Sequence, residues 1–262
     1  MKDLSGWRVQ RAVSFLAAAL IAVMASAAGA QTAEEIMAKN IKAQGGRDAL
    51  VGLKGLERKG EVKVDGAFGQ MEGSVQETII PGKKALRALD LAVFVQKDGW
   101  NGKVAWRDGM MGLQELEGQE ANQIKQSAEL NPFVKIDDGM KTEKLDDETV
   151  DDVAYYVIQM TPKEGPAVKI FVDKESDQIM RTTLKQNNPM FGEIEIVVET
   201  SGYEEFGPVK LPTKNRAQIG DVLDIQTTYT ETKVNGDIDE AIFEKPMEKA
   251  AEKTEDKKDN KK

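Results

Sequence analysis

The chain has 262 residues, 36 basic and 45 acidic side chains and a formal charge of −9, with no cysteine and no histidine. These absences remove disulfides, thiol catalysis, an acylated amino-terminal cysteine, Ser-His-Asp and Cys-His nucleophile systems and histidine-based zinc sites. The acidic balance disfavours nucleic acid and anionic headgroups as partners unless basic side chains segregate on one face, and the linear sequence shows no such segregation.

In chain order, Arg8 and Arg11 precede an apolar run that ends in small side chains, with Ala28 and Ala30 at the positions of an A-x-A cleavage site. This predicts a signal peptide over residues 1–30, cut after Ala30, and hence a periplasmic protein; an uncleaved anchor is the alternative. Cleavage takes three basic residues and one acidic residue from the 36 and 45 and leaves a charge of −11. A folded domain is expected over 31–246. It opens with a helix, since Thr32 and Glu35 form a capping box, Ala33, Ile36, Met37 and Ile41 recur at helical spacing, and Gly45-Gly46 supply the stop. A short helical turn, "RDALVGLKGL", follows.

From Glu57 the apolar period becomes two. "EVKVDGAFGQ" and "SVQETII" read as strands joined around Asp65-Gly66, and "KALRALDLAVFVQ" places Leu89, Leu91, Val93 and Val95 on one face. "KVAWR" returns, and "GLQELEGQEANQIKQSAEL" reads as a helix with Leu113, Leu116, Ile124 and Ala128 on its apolar side, ending before Asn131-Pro132. Later strands carry inner rows Val168, Ile170 and Val172; Ile194, Ile196 and Val198; and Leu223, Ile225 and Tyr229. Their connections are too short for parallel crossovers, so the sheet is expected to be an antiparallel meander, apolar on one face and wet on the other. Residues 247–262 carry little apolar content and read as a disordered charged tail, or a contact for a negatively charged partner.

Candidate chemistry is sparse. The acids between Asp137 and Asp152 lack calcium-loop spacing, and "NGDIDE" at Asn235–Glu240 breaks that pattern at its sixth and twelfth positions, so no metal and no cofactor are expected. Asp239 reads instead as the cap of a turn that delivers Ile242 and Phe243 to the core. Among the many carboxylates, no pair stands in a setting that singles out an acid and a base. The hairpin "GWNGKVAWRDG" leaves two turns open. Asp98-Gly99 would place Trp100 and Trp106 on one face, whereas Asn101-Gly102 would put them on separate strands and opposite faces.

"NGKVAW", the helix before "NPF", "VDDVAYYVIQMTPKEGPAVKIFVDKESDQIMR", "GYEEFGPVKLPTKN" and "VNGDIDEAIFEKP" together resemble the outer-membrane lipoprotein-sorting family, the LolA-like periplasmic carriers, across most of residues 31–246. The resemblance implies a mainly β fold with α, an incomplete antiparallel half-barrel whose concave apolar face is covered by helices. It also implies a non-enzymatic role: binding a lipid or the acyl chain of a lipoprotein, with passage to the outer membrane. The lining is then expected from Val93, Val95, Val104, Trp106, Ile170, Ile196 and Ile225, with Ile36, Met37 and Ile41 from a movable helical lid; ordinary core is the alternative for each. In the carrier a basic residue involved in cargo uptake and release precedes the proline that leads into the next strand, and here Ile80 precedes Pro81. Matching the family's D-G-K-x-x-W hairpin selects the Asn101-Gly102 turn, with Trp106 toward the concave face and Trp100 on the other. The second functional reading is an envelope protein-protein interaction or sensing module on the same scaffold with a filled core. A monomer is expected.

Overall fold

The structure, a computed structural model, describes residues 31–66, 69–136, 139–163, 165–188 and 192–247. The expected signal peptide and the tail beyond Met247 lie outside the described residues. Helix α1 (Ala33–Ala43) begins at the expected capping box: the Glu35 amide donates to Thr32 Oγ1 at 3.3 Å and the Thr32 amide to Glu35 Oε2 at 3.0 Å. The short α2 (Arg47–Gly52) follows and buries Leu50.

One fourteen-stranded antiparallel sheet makes up most of the rest. Its first part comprises β1 (Leu56–Gly66), β2 (Gly69–Ile80), β3 (Lys84–Asp90), β4 (Val95–Trp100), β5 (Ala105–Gly109) and β6 (Gly112–Leu116). Helix α3 (Gly118–Gln126) intervenes before β7 (Lys141–Lys144), β8 (Glu148–Val150), β9 (Val153–Thr161) and β10 (Val168–Asp173). The last strands are β11 (Ile179–Asn188), β12 (Gly192–Phe206), β13 (Val209–Ile219) and β14 (Leu223–Val234), followed by a 3-10 turn at Glu240–Phe243. The spatial order is β6-β5-β4-β3-β2-β1-β14-β13-β12-β11-β10-β9-β7, with β8 on β9. Strand β1 pairs with β14, which joins the two ends of the sequence at the middle of the sheet, and the sheet does not close. The result is the expected half-barrel.

Two expectations are corrected. "KALRALDLAVFVQ" is a hairpin, β3–β4, because the chain reverses at Leu91–Phe94, where the Leu91 amide donates to the Phe94 carbonyl and Ala92 takes φ 64°. "GLQELEG" is strand β6, and helix begins only at Gly118.

The helix-covered face has two sealed regions. Under α1, Ile36, Met37 and Phe133 pack on Ile158, Met160, Ile170 and Val172. Under α2, Leu50 and Leu53 pack on Leu56, Ile79, Ala85, Val209 and Leu211. A third cluster forms where the Leu91–Phe94 turn folds back over β1 and β2, burying Val62, Val64 and Leu91. Gly73 permits that return, since a Cβ there would collide with the Asp90 carbonyl.

Buried amides lock α1 in place. Asn131 Nδ2 donates to Asn40 Oδ1 at 2.7 Å and to Gln44 Oε1 at 2.8 Å, Asn40 Nδ2 donates to the Asp177 carbonyl, and Gln178 Nε2 donates to the Ala43 carbonyl. Removing one partner from such a network leaves the groups it bonded buried and unpaired. Asn131→Ala strands two buried acceptors and is expected to cost about 2 kcal/mol in urea unfolding.

Candidate functional site

Strand parity decides what faces the helices. On β1, Leu56, Arg58, Gly60, Val62 and Val64 share the covered side. The same parity brings charged residues into a row across five neighbouring strands: Arg58 opposite Glu77, Glu77 opposite Arg87, Arg87 opposite Asp98, and Asp98 opposite Arg107. Arg58 Nη2 donates to Glu77 Oε2 at 2.7 Å and Nη1 to the Pro212 carbonyl at 3.3 Å, and the guanidinium stacks 3.9 Å over the Tyr229 ring. These two side chains are only 12% and 14% exposed, so this is a desolvated pair. Burial alone would raise the Glu77 carboxyl, but Arg58 and Arg87 outweigh it and hold Glu77 below the ordinary carboxylate value. Burial and the Glu77 charge push the Tyr229 phenol far up, so it stays neutral. Farther along the row Arg107 Nε donates to Asp98 Oδ1 at 2.6 Å and Nη1 to Glu120 Oε1 of α3 at 3.2 Å.

A cavity of about 240 Å³ lies on this row. Its floor includes Arg58, Glu77, Arg87, Asn215 and Tyr229, and its roof is Ser127, Glu129 and Leu130, the segment that follows α3. The roof is tied down where the Gly82 amide donates to the Ala128 carbonyl at 2.9 Å. A neighbouring cavity of about 300 Å³ lies beneath α2, between Leu50, Val51, Pro81, Leu130 and Val134, with Arg47, Lys83 and Lys135 at its walls.

Beside the charged row, strands β11–β14 leave part of the covered side unsealed. Leu184, Ile194, Ile196, Val198, Ala217, Ile219, Leu223 and Ile225 share that side through consecutive cross-strand pairs, and all are only half-buried. Helix α3 reaches toward this strip: Glu120 holds Arg107 on β5, while Gln119 Nε2 contacts Gln186 Oε1 on β11 at 3.4 Å. Yet α3 buries none of its own residues.

The ten expected lining residues do not come together. Ile196 and Ile225 lie on the half-buried strip, as their rows predict. Ile36, Met37 and Ile170 are sealed core under α1, and Ile41 bridges the clusters under α1 and α2. Val104 is half-buried in the hairpin loop. Val93 is 75% exposed in the Leu91–Phe94 turn and Val95 49% exposed on the uncovered face, because that turn shifts the phase of the alternation.

Trp106 is a further correction. The hairpin does turn through Asn101-Gly102, and its cross-strand pairs are Trp100 with Ala105 and Gly99 with Trp106. The tryptophans therefore do lie on opposite faces, with sides reversed from expectation. Trp100 packs into the cluster under α2, and Trp106 lies on the far face over Gly99, covered by the 3-10 turn, whose Phe243 carbonyl accepts from its indole Nε1 at 2.9 Å. Asp239 caps that turn by accepting from the Ala241 amide, and it buries Phe243 while Ile242 stays 40% exposed.

The charged row escaped the sequence reading although its signal is present: Arg58 between Leu56 and Val62, Glu77 between Val75 and Ile79, and Arg87 between Ala85 and Leu89 each occupy an inward position. In the acidic 137–152 stretch, Asp147 pairs with Lys144 and Lys174 at 2.8 and 2.6 Å, and among the described residues no group of three acidic side chains could hold a metal.

No protein-family model and no curated protein sequence matches the chain. Solved structures do. A LolA superfamily protein from Nitrosomonas europaea superposes with a TM-score of 0.57 at 14% identity, covering 82% of this chain and 99% of that one. A domain assigned to outer membrane lipoprotein sorting from Vibrio parahaemolyticus gives 0.55 at 10% identity, covering 80% and 94%. A DUF1329 family protein from Desulfovibrio piger gives 0.55 at 12% identity, covering 76% and 92%. The open antiparallel sheet with helices on one face is thus a LolA-like fold.

Proposed function

We propose that this chain is a non-enzymatic periplasmic protein that binds an apolar ligand, a lipid or the acyl chain of a lipoprotein, on the covered face of its half-barrel. The observation that carries the reading is the strip of half-buried aliphatic side chains on β11–β14, left open beside a cavity and touched, through Gln119 and Gln186, by α3, which packs on β3–β5 and buries no residue of its own. Aliphatic rows that served only the core would be sealed, as they are under α1. The LolA-like fold and the expected signal peptide support the same reading, and carriage toward the outer membrane follows from it as the expected use.

Each acyl methylene moved from water to this strip contributes about 0.8 kcal/mol. The network that locks α1 leaves α3 as the moving cover, which replaces the expected lid of Ile36, Met37 and Ile41. Extraction of the purified protein followed by lipid mass spectrometry is expected to recover bound lipid, and a fluorescent fatty acid is expected to bind the stripped protein. Ile225→Asp, which puts an unpaired charge on the strip, is expected to weaken that probe about tenfold or more. Recovery of no lipid together with no response to the probe would sink the proposal.

A further inference from the structure

The charged floor of the smaller cavity contains more hydrogen-bonding capacity than the protein itself uses. Arg58 Nε, Arg87 Nε and Asn215 Oδ1 are buried atoms that line this one cavity and have no hydrogen-bond partner among the described residues. Native proteins leave few such atoms, and each has a cost. The contrast with the outer end of the same row is informative. There Arg107 donates through Nε at 2.6 Å to Asp98 and through Nη1 at 3.2 Å to Glu120, whereas Arg87 has a 3.5 Å approach to Glu77 and no side-chain hydrogen bond among the described residues. Glu77 is committed to Arg58 at 2.7 Å. A row built only to satisfy itself would close at Arg87 as it does at Arg107.

From the two guanidinium donors we infer that the cavity is an oxyanion subsite: Arg87, with Arg58 Nε behind it, receives the carboxylate or phosphate end of a single-chain amphiphile whose acyl tail lies along the β11–β14 strip. Guanidinium donors in a partly desolvated cavity suit a planar or tetrahedral oxyanion, and a cavity of about 240 Å³ has room for a headgroup but not for a whole lipid. The strip begins close by. Tyr229 lines the cavity, and Ile225 shares its face four residues earlier on β14, about 13 Å along the strand. This subsite rests on the apolar-ligand reading and adds a polarity to it: head at the charged row, tail toward β11–β14.

The test compares a fluorescent fatty acid, its methyl ester and a lysophosphatidic acid of the same chain length in about 0.15 M salt. Wild type is expected to bind the acid at least about tenfold more tightly than the ester. Arg87→Gln is expected to bring that ratio close to one, and Arg87→Lys to keep part of it; because the readout is a ratio, any effect of the substitution on packing cancels. Tighter binding of the lysophosphatidic acid would identify phosphate as the preferred end, and tighter binding of the fatty acid would identify carboxylate. Equal affinity for acid and ester in wild type, or a ratio unchanged in Arg87→Gln, would overturn the subsite while leaving the apolar reading in place. Binding of none of the three would overturn both.

Discussion

Glu77→Gln is expected to destabilise the protein by about 3–5 kcal/mol in urea unfolding at neutral pH, a large share of the total for a domain of ordinary stability. The cause lies in what the substitution leaves behind. Arg58 is 12% exposed, stacked on Tyr229 and bonded to a carbonyl, so without the Glu77 carboxylate its charge is buried and uncompensated. Arg87, 40% exposed, loses less. Replacing both members of the pair, Arg58→Met with Glu77→Leu, removes charge and counter-charge together and is expected to recover most of the loss. If the single and double variants are equally unstable, packing rather than charge holds this region together.

The pH dependence has a defined sign. The folded-state pKa of Glu77 is depressed, so its contribution is complete above the unfolded-state value of about 4.3 and disappears as pH falls through the lower folded-state value. The gap between wild type and Glu77→Gln should therefore be constant from about pH 5 to 8 and narrow below about pH 4. A gap that widens on acidification would contradict the assignment of the charged form.

This row also marks where reading the sequence succeeds and where it stops. Alternation alone placed Val168, Ile170 and Val172, Ile194, Ile196 and Val198, and Leu223, Ile225 and Tyr229 on the covered side, because each strand keeps one phase between recognisable turns. The capping box at Thr32 was legible because local chemistry settles local geometry, whereas two equally good turn dipeptides left the 98–102 hairpin open until the family resemblance selected Asn101-Gly102. Val93 and Val95 were misplaced because the intervening turn puts Ala92, an ordinary L-residue, at positive φ, where turn chemistry gives no warning. Arg58, Glu77 and Arg87 were passed over because a charge at an inward position looks like an interruption within any one strand. Only the register across β1, β2 and β3 makes three such interruptions a single row, and register is not a property of one segment.

Trp106 provides the second large effect and separates the two placements of the hairpin. Trp106→Ala is expected to cost about 3–5 kcal/mol, since the indole is 1% exposed, fills the space left by Gly99 and donates to the Phe243 carbonyl. The loss should extend to the 3-10 turn. Phe243, fully buried beside it, loses its neighbour, and the pairs that rim the turn, Lys84 with Glu240 at 2.8 Å and Asn101 with Glu244 at 2.9 Å, remain as surface contacts of small worth. Protease cleavage after Phe243 should therefore accelerate more than cleavage elsewhere, because local opening exposes the turn before the sheet unfolds. All of this happens on the face opposite the cavity and the strip. Under conditions where the variant is folded, its affinity for a fluorescent fatty acid should match that of wild type, whereas a tryptophan lining the ligand site would cost binding in proportion to the contact it lost. A Trp106→Ala protein that folds but binds the probe at least tenfold more weakly would return this side chain to the ligand and reverse the assignment of the two faces.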